Sequence, residues 1–378
     1  MKSLTTMEEL RNNIFTLACV EESVTPFVSC YLNLEKGDGC GIKTLDDRLP
    51  ALRSTITGEA LSHFDAAIQS IKAYLASQLM PDAKGVAIFC RHYSTGRFLL
   101  PMQFAAPLPD WIAVYDTPHL FHLMAMKDNY HRYVVLMATR NWVRILEVNL
   151  GAATVQTWTR HPGLRERVGR EITKEHYESR NRAHTSRFLK EQIELLGDLM
   201  KAGKHTHLIL AGDPRLTGEI RQALPKSVAA KLIDTIPAAS RDAESDVVTA
   251  TLSAFVDWEE QESQAVAARF VKGIRTQGRA VAGAAACLEA LRQRRADTVL
   301  LAQGVSARPG WLCSACYAIR ITPHAPDSCP ACGEKSLRQI DPVAEITRLA
   351  GQQECPIEVV EHCDPLMALG GIGCLLRF

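Results

Sequence analysis

Ala290-Leu-Arg-Gln-Arg-Arg-Ala-Asp-Thr-Val-Leu-Leu301 runs from the end of a helix directly into a strand, and it sets the fold of the last third of the chain. The helix is read as Ala280–Leu291, built from small residues, and the strand as Thr298–Ala302, a short apolar run. Two knuckles follow, Cys313-Ser-Ala-Cys316 and Cys329-Pro-Ala-Cys332, separated by 12 residues. Each knuckle aims two thiolates at one ion, and together they make a tetrahedral Cys₄ shell of the zinc-ribbon type, inserted at about 308–337. Such a shell leaves no open position for water, so the expected Zn2+ organises structure and performs no chemistry. Iron is the alternative ion, and unrelated reduced thiols are the alternative reading. Beyond the insertion, Asp341 is placed to cap a helix that has Pro342 at its first position and Gly351 just past its end. The strand Ile357–Val360 and the ending Gly370-Gly-Ile-Gly-Cys-Leu-Leu-Arg-Phe378 complete this unit.

Upstream, Tyr133–Met137 and Val143–Val148 flank Thr139-Arg-Asn-Trp142 as a hairpin, and Thr154–Trp158 reads as a third strand. A long helix spans about 172–202, followed by the strand His207–Leu210, the turn Ala211-Gly-Asp-Pro214 and a second long helix at about 244–271. Asp246, Glu259, Glu260 and Glu262 make that second helix a charged, partly exposed connector. Further upstream, Val28–Leu34 alternates like a strand, residues 47–79 carry helical spacing, Gly85–Cys90 reads as a buried strand, and Leu108–Tyr115 adds another. The expected class is α/β (mixed α+β) in three domains: 1–127, 128–272 and 273–378.

At 378 residues the chain exceeds one typical core. Apolar residues at 47% and charged residues at 22% read as a globular protein, and a net charge of +1 means that any basic surface must be local. The opening Met1-Lys-Ser-Leu-Thr-Thr-Met-Glu-Glu lacks an apolar core, and no apolar stretch approaches the ~20 residues a membrane span needs. Eight of the twelve cysteines stand singly, as in Val86-Ala-Ile-Phe-Cys90, which suits reduced buried thiols. The expected location is the cytoplasm, with no membrane partner.

Ala290–Leu301, the ending Gly370–Phe378 and the Cys-rich insertion resemble the last domain of archaeal and eukaryotic class I peptide chain release factors. The hairpin at 133–148 and His207-Leu-Ile-Leu-Ala-Gly212 resemble the central domain that this family shares with the ribosome-rescue protein Pelota. The likeness is to a divergent bacterial branch, densest in the last third and thinnest at the start. It implies an elongated three-domain factor occupying a tRNA-like space in the ribosomal A site. It further implies an α/β N-terminal domain, a ribonuclease-H-like central domain, and a last domain like kink-turn RNA-binding proteins. In the family that last domain contacts a translational GTPase.

Two family signatures are missing. The Gly-Gly-Gln tip that positions water against the peptidyl-tRNA ester has no equivalent between Arg160 and Arg187, and the nearest downstream glutamine, Gln192, falls inside the expected helix. The Asn-Ile-Lys-Ser decoding tetrad has only a passing echo in Gly41-Ile-Lys-Thr44, and Gly37–Gly41 reads as a flexible turn. Residues 160–190 nevertheless hold nine Lys/Arg against four Glu. Arg160, Arg165, Arg167, Arg170, Lys174, Arg180 and Arg182 are expected at RNA phosphates, with His176 and Tyr177 stacking on bases or sugars. The alternative is a solvated face with i,i+4 pairs such as Glu166 with Arg170. His161, His176 and His184 have no nucleophile or carboxylate partner at a telling spacing, and no catalytic residue is assigned. His205 and His207 are expected as surface histidines. The leading expectation is a ribosome-binding factor for rescue or hibernation that does not decode. A hydrolase with a rewired loop and a protein-binding adaptor away from the ribosome are the alternatives.

Overall fold

The computed structural model describes residues 4–35, 40–139, 142–160, 174–239, 242, 244–276, 278–305 and 308–377. The chain forms two compact units, one made of residues 1–129 with 259–378 and the other of residues 130–258. Among the described residues, four sheets and a set of helices give the mixed α/β class.

The first unit opens with α1 (Met7–Ala18), started by a reciprocal cap in which the Glu9 N–H donates to Thr6 Oγ1 and the Thr6 N–H to the Glu9 carboxylate. Then come β1 (Phe27–Asn33), α2 (Cys40–Ser54), α3 (Glu59–Ser77), β2 (Gly85–Tyr93), β3 (Gly96–Phe104), β4 (Trp111–Tyr115) and α4 (Phe121–Asn129). The strands form an antiparallel sheet in the order β3-β2-β1-β4. The single helical stretch expected at 47–79 is two helices, separated at residues 55–58. Its apolar spacing survives because both helices bury Leu45, Phe64, Ile68, Ile71 and Leu75 against Val28, Cys30, Val86 and Ile88 of the same sheet face. Cys40 and Gly41, expected in a turn, begin α2, and Lys43 is exposed on it.

The second unit is built from β5 (Tyr133–Ala138), β6 (Trp142–Asn149), β7 (Ala152–Arg160), α5 (Lys174–Ala202), β8 (Leu208–Gly212), α6 (Pro214–Ala223), α7 (Lys226–Ala229), β9 (Leu232–Pro237) and the first half of α8 (Glu244–Arg275). Its sheet runs β7-β6-β5-β8-β9: the first three strands form an antiparallel meander and the last two are parallel to β5. This arrangement meets the ribonuclease-H-like expectation. Alternate residues of β5 go to opposite faces, as the strand period requires. Val134 and Leu136 meet Phe188, Ile193 and Leu196 of α5, whereas Tyr133 and Val135 meet Val247 and Phe255 of α8.

Gly212 ends β8 at φ 141°, where an added Cβ would lie 1.9 Å from the Ala138 carbonyl oxygen. Gly212→Ala is therefore expected to force β5 and β8 apart and destabilise this unit by roughly 3 kcal/mol. Chemical denaturation followed through the Trp142 and Trp158 fluorescence would read the loss.

The rest of the first unit contains β10 (Ala280–Ala282), α9 (Ala284–Arg292), β11 (Ala296–Ala302), β12 (Gly310–Cys313), β13 (Ile319–Ile321), β14 (Leu337–Ile340), α10 (Pro342–Gln352), β15 (Ile357–Val360), α11 (Asp364–Ala368) and β16 (Ile372–Leu376). The main sheet is β10-β16-β11-β15, with only β11 and β15 parallel. The helix expected from Ala280 starts later: residues 280–282 pair with β16, and Gly283 turns the chain into α9. Asp341 does cap α10, its Oδ1 accepting the Val343 and Ala344 N–H groups at 2.8 and 3.1 Å. Gly351 lies inside α10 and not beyond it. A Cβ there would crowd Met124, Ala18 and Ile14 at 3.0–3.4 Å, so close helix packing and not a helix stop explains this glycine.

The two sequence-distant parts of this unit are tied together by polar contacts. Gln352 donates to the Ala18 carbonyl at 2.7 Å, Tyr115 Oη to Asp341 at 3.1 Å, and the Val359 N–H to Asp128 at 2.7 Å.

Candidate functional site

The four cysteines that the spacing singles out converge. β12 delivers Cys313 at its end, the following turn delivers Cys316, and the stretch between β13 and β14 delivers Cys329 and Cys332. All four Sγ atoms lie within 4.8 Å of one another, with Cys313–Cys332 at 3.5 Å and Cys316–Cys329 at 3.6 Å. A tetrahedral ion with bonds of about 2.3 Å to sulfur needs sulfurs about 3.8 Å apart, so the donors fit a metal ion.

The local electrostatics agree. The Ala331 N–H, aided by the Cys332 N–H, holds the Cys329 thiol down to about 7 against the opposing effect of burial. At Cys332 the Glu334 N–H lowers the thiol, but the sulfurs of Cys316, Cys313 and Cys329 together with burial outweigh it and push it up to about 12. Packed thiols resist ionising together unless a cation sits among them.

The two knuckles share one backbone device. The Tyr317 N–H donates to the Cys313 carbonyl at 3.0 Å, and the Gly333 N–H donates to the Cys329 carbonyl at 2.7 Å. The residue after each second cysteine is left-handed, φ 58° at Tyr317 and 80° at Gly333. Glycine occupies that conformation freely, whereas a side chain costs roughly 1–2 kcal/mol there. Tyr317 is also 61% exposed, so burial of its ring does not offset that cost.

The expected RNA-contact segment distributes differently. Arg160 ends β7, and Lys174, His176, Tyr177, Arg180 and Arg182 lie in the first turns of α5, their side chains outside the described residues. Arg165, Arg167 and Arg170, with His161, also lie outside the described residues. Further along α5, Arg187 pairs with Glu191 at 3.6 Å on an exposed face, and Gln192 is buried in the helix.

One expectation fails. His205 is not a surface histidine: it is buried, 3.8 Å from Glu147, and burial lowers its basicity first, with Arg132 adding. The tight reversal after α5 at Gly203–Lys204 turns the chain back, with the His205 N–H donating to the Met200 carbonyl, and period-2 reading of a strand entrance has no signal for such a turn. His207 is half-buried and stacks on His131, 6.1 Å between centroids, with Trp258 at 4.7 Å.

Among the described residues no helix is long and apolar enough to cross a membrane.

Residues 118–255 match the family described as Bacterial archaeo-eukaryotic release factor family 10. The match falls on the middle of the chain, where the sequence likeness was thinner than in the last third. No curated protein matches the chain. Among solved structures, the C-terminal domain of a peptide chain release factor from Methanosarcina mazei is 26% identical over 37% of this chain and 98% of its own, with a TM-score of 0.28. Dom34 of S. cerevisiae is described as a translation termination-like factor interacting with Hbs1; it is 10% identical over 78% of this chain and 80% of its own, TM-score 0.41. Archaeal Pelota, described as ribosome-bound with ABCE1, is 12% identical over 100% of this chain and 95% of its own, TM-score 0.42.

Proposed function

We propose that the chain, whose residues 118–255 match a bacterial archaeo-eukaryotic release factor family, is a ribosome-associated translation factor. In this reading it works in the cytoplasm and fills the A site during rescue or hibernation, reading no stop codon and releasing no peptide. The observation that carries the reading is that the match spans the very segment from which the hydrolytic signature is missing. Residues 160–190 contain no Gly-Gly-Gln, and the nearest downstream glutamine, Gln192, is buried. A factor that keeps the domain and loses the catalytic tip retains what is needed to occupy a site.

The basic residues from Arg160 to Arg182 supply phosphate contacts near the acceptor-end pocket, and the Cys₄ centre holds Zn2+ as a structural ion. The three-domain division at 127 and 272 and a GTPase contact through the last domain belong to the same proposal.

The test is co-sedimentation with 70S ribosomes across a salt series, in growing and in starved cells. Binding is expected to weaken steeply with salt, and replacing Arg165, Arg167 and Arg170 by alanine is expected to flatten the log–log salt dependence by about 2–3. A chain that stays at the top of the gradient in both states overturns the reading. Turnover of peptidyl-tRNA that requires His176 would replace it with a hydrolase.

A further inference from the structure

The first cysteine knuckle carries a residue that its architecture does not ask for. Both knuckles need a left-handed residue after the second cysteine, and the second knuckle uses glycine. The first uses Tyr317, bulky, strained and mostly exposed. A strained backbone that presents an aromatic ring to solvent, where glycine would serve the metal site better, is the kind of outlier that marks a binding function.

Its surroundings are cationic. The Arg292 guanidinium at the end of α9 donates to the Tyr317 carbonyl, which seats the ribbon against that helix. Arg294 follows and is exposed, itself left-handed at φ 55°. From there the backbone leads across the ends of three strands. The Arg377 N–H donates to the Arg295 carbonyl at 2.9 Å, the Leu376 N–H to the Arg279 carbonyl at 2.9 Å, and Arg279 Nη1 to the Arg377 carbonyl at 3.2 Å. Neighbouring strands lie about 4.8 Å apart, so β10, β16 and β11 hold arginines across roughly 10 Å of one sheet end.

Among the described residues none of Arg279, Arg294, Arg295 and Arg377 is in an ion pair. The acidic groups close in sequence are Glu289, which accepts from Gln293, and the exposed Asp297. Cations therefore outnumber carboxylates, and each arginine keeps donors for an external oxyanion.

We propose that Tyr317 and this arginine row form a surface for single-stranded or looped RNA, with the Tyr317 ring stacking on an unpaired base and the guanidinium groups taking the flanking phosphates. RNA is favoured over an acidic peptide because an exposed aromatic ring on a segment seated against Arg292, with further unpaired arginines following, offers stacking for bases as well as charge for backbone. The proposal rests on the ribosomal reading for the identity of the RNA, but it uses none of residues 160–190 and is tested separately.

The probe is a labelled 12-nucleotide single-stranded RNA bound to the full, metal-loaded chain, with a poly-glutamate peptide as competitor. Tyr317→Gly relieves the backbone and leaves the knuckle intact, so metal content and thermal unfolding are expected to hold while RNA affinity falls roughly five- to a hundredfold. Tyr317→Phe should retain binding. Replacing Arg279, Arg294 and Arg377 by alanine should flatten the salt dependence by about 2. Unchanged RNA affinity in Tyr317→Gly, or peptide bound in preference to RNA, overturns the proposal. A chain that never pellets with ribosomes yet loses oligonucleotide binding on Tyr317→Gly sinks the ribosomal reading and leaves this surface standing. Ribosome pelleting combined with an unaffected Tyr317→Gly variant does the reverse.

Discussion

Replacing Cys313 and Cys329 together by serine is expected to abolish metal binding and melt the ribbon while the rest of its unit stays folded. One thiolate is lost from each knuckle, so neither can hold the ion alone. The ribbon has little else to stand on. Its sheet is three short strands, β13-β12-β14, and its buried apolar residues are few, chiefly Leu312 and Ile340 beside Cys313 and Cys329. A structural zinc delivers on the order of 10 kcal/mol to a site of this kind, comparable to the whole stability of an ordinary domain. Elemental analysis should find one ion per wild-type chain and none in the variant, and should also name the metal. Limited proteolysis should open new cuts between 308 and 337. A variant that resists protease as well as wild type would show that the thiols are bystanders.

The second large effect is a pH dependence seated in the first unit. Tyr31 Oη donates to the His119 carbonyl at 2.7 Å, the His119 N–H donates to Ser29 at 3.0 Å, and the His119 ring packs on Trp111 at 4.4 Å. Its Nδ1 is buried without a hydrogen-bond partner. Burial lowers the imidazole to about 4, against the opposing pull of Asp341. His122 is lowered to about 3 by burial first and by His119 second. Both folded-state values lie below the ordinary value near 6.5, so the unfolded chain binds more protons between about 3 and 6.5. Stability contributed by neutral His119 and His122 is thus complete above pH 6.5 and is lost as pH falls through that window.

For His119 alone the loss by pH 4 is about 3 kcal/mol. Asp128 pulls the other way, its carboxyl raised by burial and by Glu358, so the informative quantity is a difference between proteins. His119→Phe fills the same apolar slot without a proton site. Denaturation curves at pH 7 and pH 4 should show the wild type losing about 3 kcal/mol more than this variant. Parallel losses would mean that His119 is not the proton acceptor.

Much of the architecture was readable from local pattern. The hairpin at 133–148, the long helices of the middle and the helix-to-strand run at 290–301 all have a period strong enough to stand without tertiary information. Where short elements carry weak patterns the reading failed. β3, β9, α6 and α11 carry no such signature, because strands and helices of this length owe their conformation to neighbours more than to their own propensity. Gly351 was misread for a related reason: a glycine that ends a helix and one that admits a neighbouring helix look alike until the neighbour is in place.

The candidate sites divide along the same line. By itself the sequence determined the four cysteines that could hold a metal ion, because two Cys-x-x-Cys spacings fix donor type and number locally. It also determined the absence of Gly-Gly-Gln, which is a matter of composition along one segment. Only the tertiary structure decided that His205 and His119 are buried, that the first and last parts of the chain share one unit, that the Tyr317 carbonyl meets Arg292, and that Arg279, Arg295 and Arg377 gather at three adjacent strand ends. These are facts about which distant residues become neighbours, set by packing across hundreds of residues and invisible to any local period.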